Sequence, residues 1–404
     1  MTAADYRGRT RLLILQPTPF CNIDCGYCYL PDRNDRHRMS FDIVEAAVRL
    51  VFQHELAAQD FTVVWHGAEP LVLPVSWYRH AFAAASRGAP QGTVLAHAMQ
   101  TNATLINDEW CDFFLENSIR VGVSIDGPAR LHDARRRTRS GKATHARVVE
   151  GIQLLQRKNV PFHVICVIGQ QTLDAADELA DFFVSHGIRD VGFNIEEIEG
   201  ANKTSSLQAS GTRNRLDKFF ARFFGLAQAA NPPLVIRERE ELLGALRHPA
   251  FGLLSHNPQN EAFGFLSVSS RGAVFTFSPE LAGLHNETYG DMSIGRLPED
   301  DLNSLLAGEA LRKMWTDIEV GIHTCRNTCE YFDLCLGGAP ANKLAEHGSF
   351  AAAGTLHCHL YYQGVADAVL FDLEQLLSCQ APRAQLPQIR TAAHANCDGT
   401  AALD

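Results

Sequence analysis

The sequence predicts an α/β fold: an open, partial (β/α)6 barrel followed by a loop-rich C-terminal region. Three observations carry this expectation. Apolar runs of strand length recur six times before residue 200, amphipathic helical stretches lie between them, and beyond residue 200 the alternation stops. Such alternation favours a parallel sheet covered by helices, because each parallel pair needs a crossover and a helix supplies it.

The elements follow in order. RLLILQ (11–16) is the first strand, too short and too charged at its flanks for a signal peptide. Ser40 stands as an N-cap before FDIVEAAVRLVFQH, which predicts a helix over 40–58. FTVVW (61–65), TVLAHAM (93–99), RVGVSI (120–125), PFHVICVI (161–168) and RDVGFNI (189–195) are the other strands. Helices are expected over 107–117, opened by Asn107-Asp108, and over 144–158 and 173–187. Cys166 in its strand and Cys111 in its helix read as buried small hydrophobes. A polar stretch at 200–214 leads into LDKFFARFFGLAQAA, whose phenylalanines at helical spacing suit core packing. After Asn231-Pro232-Pro233 the chain reads as irregular, with few long helices, and a boundary is placed near 235–250. The expected organisation is a barrel over 8–235, a second domain over 236–378, and a disordered tail over 379–404. Cys379 and Cys397, which flank that tail, receive no role.

Composition points to a cytoplasmic catalyst. The net charge of −10 argues against nucleic acid or an anionic membrane as partner, and no apolar run approaches the length of a membrane span. Eleven cysteines without a secretion signal point to metal clusters rather than disulfides.

The chemistry concentrates in CNIDCGYCY, where Cys21, Cys25 and Cys28 have the spacing C-x3-C-x2-C. So short a loop brings three thiolates to one point, and soft thiolates suit iron–sulfur clusters. Three ligands on a [4Fe–4S] cube leave one iron open, and that iron can chelate the amino and carboxylate groups of S-adenosylmethionine (SAM). The alternative is a structural zinc site, which wants four ligands. No fourth Cys or His is placed to complete it; His37 follows nine residues after Cys28, beyond an Asp- and Arg-rich turn.

The string resembles the signature of the radical SAM superfamily, and more of that pattern follows in order. WHGAEP (65–70) resembles the family's Gly-Gly-Glu-Pro segment, with Ala68 where a second glycine is usual; alanine is comfortable there only at negative φ. MQTN (99–102) and VSIDGP (123–128) resemble the ends of the third and fourth barrel strands. The resemblance implies SAM contacts from Gly67, Ala68, Glu69, Gln100, Asn102, Ser124 and Asp126. In HDARRR, Arg136 stands where the family places an arginine on the SAM carboxylate, while Arg135, Arg137 and Arg139 are expected to form a solvated basic turn.

A second constellation, Cys325, Cys329, Cys335 and Cys358, has the spacing C-x3-C-x5-C-x22-C. Four thiolates suit either a closed [4Fe–4S] cluster or a four-thiolate zinc site. CRNTCEYFDLCLGGAPANK resembles the SPASM extension of radical SAM peptide maturases, which commonly holds two auxiliary clusters. In this chain Phe277 and Ala339 occupy two positions where that extension has cysteines, and no cysteine lies between 167 and 324. One auxiliary cluster is therefore expected.

FSPELAG, YFDLCLGGAPANK and NIEEIEG resemble the subgroup that crosslinks ribosomally made peptides into cyclophanes, arene carbon to β-carbon. That resemblance implies a precursor peptide as substrate and an electron donor such as flavodoxin or ferredoxin. The first strand begins near residue 11, so the peptide is expected to be held by the barrel mouth and second domain, or by a separate protein. Rearomatisation needs a base, and Glu280, Glu196 and Glu197 are the candidates; the alternative for each is a surface carboxylate or helix cap. A thioether-forming maturase, a sulfatase-maturing enzyme and a Cys-rich zinc adaptor are the rival readings. Two absent cluster cysteines count against the second, and WHGAEP and VSIDGP against the third.

Overall fold

The computed structural model describes residues 3–247 and 256–380. The expected tail lies outside the described residues from 381 onward, Cys397 included, while Cys379 falls within the last helix. The strands are β1 (Thr10–Leu15), β2 (Ile23–Cys25), β3 (Ala57–Trp65), β4 (Ala96–Thr101), β5 (Arg120–Ser124), β6 (Arg136–Thr138), β7 (Phe162–Ile168), β8 (Asp190–Ile195), β9 (Val235–Ile236), β10 (Phe265–Val268), β11 (Ala273–Thr276) and β12 (Gly295–Arg296). Ten of them form one sheet in the order β12-β11-β10-β1-β3-β4-β5-β7-β8-β9, and β2 pairs with β6 separately. From β10 through β9 every pairing is parallel, so the expected α/β fold with a parallel sheet is what forms.

The helices between these strands are α1 (Phe41–Gln53), α2 (Val75–Gly88), α3 (Asp108–Glu116), α4 (Ala129–Arg135), α5 (His145–Arg157), α6 (Ala176–Ser185) and α7 (Thr212–Ala229). Ser40 caps α1 by accepting from the Ile43 amide, 3.4 Å, and Asn107 caps α3 by accepting from the Trp110 amide, 3.0 Å. Central positions such as Leu15, Val63, Val121, Val164, Cys166 and Phe193 are fully buried in the core, while Ile14, Val64, Ile165 and Asn194 of the same strands line a cavity. Phe219, Phe220, Phe223 and Phe224 of α7 are equally buried, two pairs on one helical face.

Two boundaries differ from expectation. The first helix stops at Gln53 rather than 58, since Glu55 takes a left-handed φ of 54° and Leu56 is drawn into the core, so that β3 starts at Ala57. The third expected strand starts at Ala96 rather than 93, because Pro90 to Thr93 close a turn and Val94 is left 94% exposed.

The larger departure lies beyond residue 235. There the chain contains α8 (Arg237–Arg247), α9 (Leu302–Ala307), α10 (Glu309–Thr328), α11 (Phe332–Cys335), α12 (Pro340–His347) and α13 (Gly364–Gln380). At 20 and 17 residues, α10 and α13 are long, contrary to the irregular reading. In α10 the stripe Leu311, Met314, Ile318, Gly321, Cys325 is buried at three- and four-residue steps inside an otherwise polar stretch, so periodicity decides where average composition misleads. The sheet also continues across the expected boundary, since β10 pairs in parallel with β1, Leu266 opposite Leu13.

Candidate active site

All the parallel strands end at one edge of the sheet, and the loops leaving that edge carry the predicted residues. The loop after β1 folds back so that β2 pairs with β6, which sets Cys25 opposite Arg136. Arg33 and Arg139 donate to the carbonyls of Cys25 (3.2 Å) and Cys21 (2.8 Å) and fix the loop. Cys21, Cys25 and Cys28 then line one cavity of about 420 Å³ at the strand ends. Burial pushes the Cys21 thiol up to about 12, with the Glu69 charge adding to it. Burial likewise pushes Cys25 up to about 11 against the opposing pull of Arg136. Such thiols stay protonated at neutral pH unless a metal takes their charge.

Of the predicted SAM contacts, Ala68, Gln100, Asn102, Ser124 and Arg136 line this cavity. Gln100 Nε2 donates to Ser124 Oγ, 2.8 Å. Asn102 Nδ2 reaches Cys21 Sγ at 3.9 Å, and Arg136 Nη1 reaches Cys25 Sγ at 4.0 Å. Gly67 faces a smaller neighbouring cavity with His66 and Tyr29.

Glu69 and Asp126 stand elsewhere, and their chemistry explains why. Glu69 is fully buried, and its carboxylate accepts from the Leu71 amide (3.0 Å), the Thr101 hydroxyl (2.7 Å) and the Asn102 amide (2.7 Å), tying the ends of β3 and β4 together. Asp126 accepts from the Tyr27 hydroxyl (2.7 Å) and the Val167 amide (3.0 Å), and pairs with Arg136 Nε at 3.0 Å. Burial works against its charge, but Arg136 and then Arg135 hold its carboxyl below the usual range. Both carboxylates spend their acceptor capacity on the frame and orient the residues that face the cavity.

The expected basic turn is only partly solvated. Arg137 is exposed, whereas Arg135 stacks on the Tyr27 ring at 4.0 Å and pairs with Glu196 at 3.1 Å, and Arg139 binds the Cys21 carbonyl. Ala68 has φ +60°, the left-handed region that the sequence reading excluded for a comfortable alanine. Ala68→Gly is therefore expected to raise the free energy of unfolding by roughly 0.5–1 kcal/mol, relief of Cβ strain outweighing glycine's added chain entropy. Chemical denaturation checks this, and a loss of stability would show that Ala68 is unstrained.

Glu196, Glu197 and Glu280 all line the cavity, and so does Glu199, which the sequence reading missed. Glu196 is paired with Arg135, and Glu197 accepts from Asn342 Nδ2 at 2.7 Å with His357 Nε2 at 3.6 Å. Neither Glu199 nor Glu280 has a cation within ion-pair distance among the described residues. Burial pushes Glu280 up to about 7; its Ser278 hydrogen bond opposes this and the Glu197 charge adds to it. Glu199 is held well above its usual range by burial, then by Glu280, Glu197 and Glu346. Raised in this way, Glu280 can take up a proton near neutrality beside the three thiols, and Glu199 binds its proton more tightly than an ordinary carboxyl. The alternating acids of NIEEIEG were the available signal for Glu199.

A second cavity, about 390 Å³, is lined by Cys325, Cys329, Cys335 and Cys358. Cys325 ends the long apolar stripe of α10, Cys329 caps that helix, Cys335 ends α11, and a left-handed turn at Leu336, Gly337 and Gly338 returns the chain. Asn257 and Asn260 donate to the carbonyls of that turn at 2.8–3.0 Å, and Gln363 Nε2 lies 3.8 Å from Cys329 Sγ. Phe277, at an expected cysteine position, is fully buried and stacks on Trp315 at 6.0 Å, so packed rings fill that place. Among the described residues no three Cys, His, Asp or Glu groups converge tightly enough to hold a single metal ion. What each cysteine set shares is a cavity wall with room for a multi-atom cluster and, beside it, N–H donors aimed at sulfur. That is the donor set of an iron–sulfur centre.

Comparison with known proteins gives the family. Residues 15–183 match the family model described as the radical SAM superfamily. An uncharacterised protein of Synechocystis sp. is 38% identical over 374 residues, covering 92% of this chain and 94% of that protein. The serine-type anaerobic sulfatase-maturating enzyme of Bacteroides thetaiotaomicron is 26% identical, covering 95% of this chain and 96% of that enzyme. Among solved structures, native anSMEcpe with bound AdoMet and Cp18Cys peptide superposes with a TM-score of 0.73 at 19% identity, over 91% of this chain and 99% of that one. Streptococcus suis SuiB bound to precursor peptide SuiA superposes with a TM-score of 0.61 at 16% identity, over 88% and 77%. No described helix is long and apolar enough to cross a membrane.

Proposed function

Since the chain belongs to the radical SAM superfamily, we propose that it is a maturase that abstracts a β-hydrogen from a ribosomally made precursor peptide and joins that β-carbon to an arene carbon of the same peptide. The observation that carries this reading is one cavity lined both by the three motif cysteines and by Glu280, a carboxyl that burial raises to about 7. Relatives at both levels support a peptide substrate: a sulfatase-maturating enzyme in sequence, and a maturase bound to its precursor peptide in fold.

Cys21, Cys25 and Cys28 would hold a [4Fe–4S] cluster, which with SAM would supply the 5′-deoxyadenosyl radical needed to remove the β-hydrogen. The residues around it have distinct tasks. Arg136 offers a guanidinium for the SAM carboxylate while Asp126 and the Tyr27 ring hold its plane. Gln100 and Ser124, already joined by a hydrogen bond, offer polar contacts on the same wall. After the β-carbon adds to the ring, the peptide must lose one proton and one electron to restore aromaticity. Glu280, with Glu199 beside it, accepts the proton. A second cluster, at the four-cysteine cavity, supplies an acceptor for the electron when bound.

The second reading is sulfatase maturation, favoured by the Bacteroides relative. The packed Phe277 and the alanine at 339 weigh against it, since they replace cluster cysteines of the SPASM pattern. Reaction with candidate peptides separates the two. A crosslinked product is lighter by two hydrogens and inert to hydrazide reagents, whereas an oxidised serine carries an aldehyde that such reagents capture. A mass loss that vanishes when every peptide cysteine is blocked would indicate a thioether.

The carboxylate contact has its own test. Arg136→Ala would also leave Asp126 buried and unpaired, a loss of about 3–5 kcal/mol in stability. Arg136→Lys keeps that charge but loses the planar fork, and is expected to weaken SAM binding by about 1.5 kcal/mol, roughly tenfold. Calorimetric titration of SAM into the reconstituted variant reads this, and parent-like affinity would move the carboxylate contact to another residue.

A further inference from the structure

We infer that Lys343 is the internal counter-charge of the four-cysteine centre, a positioning residue that raises the reduction potential of a cluster bound there. This rests on reading that cavity as an auxiliary [4Fe–4S] site. Lys343 lies on α12 and is 4% exposed, yet it lines the cavity that holds Cys325, Cys329, Cys335 and Cys358. Lysine is almost never so buried without a partner. Among the described residues no carboxylate pairs with it, and it is the one cation in the cavity wall. The one carboxylate there, Glu330, is exposed.

The surroundings make room for the ammonium. Gly321 of α10 passes so close that a Cβ added there would stand 2.4 Å from the Phe350 carbonyl oxygen and 3.1 Å from Lys343 Nζ. Any side chain at 321 would therefore crowd both the helix packing and the cation. The preceding residue, Asn342, donates to Glu197 in the first cavity. Successive residues of α12 thus reach both sites: Lys343 lines the second cavity, and Asn342 holds a carboxylate of the first.

The consequence is electrostatic. A cubane held by four thiolates is an anion, and reduction adds one more negative charge. A fixed cation in a poorly solvated wall stabilises the reduced form more than the oxidised form. Lys343 therefore favours uptake of the single electron that leaves the substrate on rearomatisation, while the matching proton goes to the carboxyls of the first cavity.

The test uses the full chain with Cys21, Cys25 and Cys28 replaced by Ala, so that iron and signal report the second centre alone. Lys343→Met, Lys343→Gln and Lys343→Arg are reconstituted anaerobically, assayed for iron, and titrated potentiometrically with EPR detection. Neutral variants should retain iron but show at least a tenfold lower ratio of reduced to oxidised cluster at fixed potential, a fall of about 59 mV in midpoint for one electron. The arginine variant should stay near the parent. Neutral variants that lose iron while arginine keeps it also support the counter-charge. An unchanged midpoint in a loaded neutral variant overturns it, and so does loss of iron and cooperative unfolding in all three, which would make Lys343 a folding residue. Absence of iron from the Lys343 parent would instead overturn the cluster reading itself.

Discussion

Cys28→Ala is expected to abolish cleavage of SAM to 5′-deoxyadenosine altogether, while leaving the second metal centre in place. The reason is stoichiometric as well as chemical. Three thiols on one cavity wall can hold a cube with one iron free for SAM, and removal of any one leaves the cube without its anchoring set. Reconstituted parent protein should hold about eight irons per chain, and the triple variant with Cys21, Cys25 and Cys28 all changed to Ala should hold about four. The two cavities are built from separate segments, so loss at one does not remove ligands from the other. Iron and zinc analysis with a chromatographic assay for 5′-deoxyadenosine checks all of this. Stoichiometric zinc, or iron enough for three cubes, would overturn the two-cluster reading.

Why these cysteines were legible and other site residues were not follows from the kind of signal each carries. A thiol spacing of three and two residues is local, and the backbone of so short a loop leaves little choice but convergence. The parallel strands were legible because one set of their residues is buried in the core and the alternate set, Leu12, Ile14, Val64, Ile165 and Val167 among them, is also apolar where it lines the cavity, which makes nearly continuous apolar strings. Glu69 and Asp126 sit inside the same motifs as true wall residues, yet one residue's rotation along a strand end decides whether a carboxylate faces the cavity or the frame. Sequence proximity does not encode that rotation. Glu199 was hidden for the mirror reason: it lies in a loop after β8, where alternation no longer tells inside from outside. Ala68 shows a further limit, since its positive φ is imposed by the turn between β3 and the segment at Pro70 and is not visible in an alanine. The stripe of α10 was diluted by polar neighbours, and the parallel joining of β10 to β1 spans more than 240 residues, beyond the reach of any local pattern.

The carboxyl pair allows the sharpest separation of radical generation from product formation. Glu280→Gln is expected to cleave SAM normally but to form crosslinked peptide about 10²–10⁴-fold more slowly, because the isosteric amide cannot accept the ring proton. Deuterium placed at the substrate β-carbon should still reach 5′-deoxyadenosine in this variant, which places the defect after hydrogen abstraction. The parent's pH profile should show the same group. Its carboxyl is pushed up to about 7, and only the ionised form is a base, so crosslinking should fall as pH drops below about 7 while SAM cleavage holds. Stability runs the other way. A carboxyl whose folded value lies above its unfolded 4.5 binds its proton more tightly in the native state, so the fold loses stability as pH rises from 4.5 through about 7. Glu280→Gln removes that loss and should melt no lower than the parent above pH 7. Glu197→Gln removes the like charge that adds to Glu280's elevation, which should lower its apparent value and move the crosslinking limb to lower pH. A Glu280→Gln enzyme that crosslinks at the parental rate, with an unchanged pH limb, would exclude Glu280 as the base and leave Glu199 as the carboxyl to replace next.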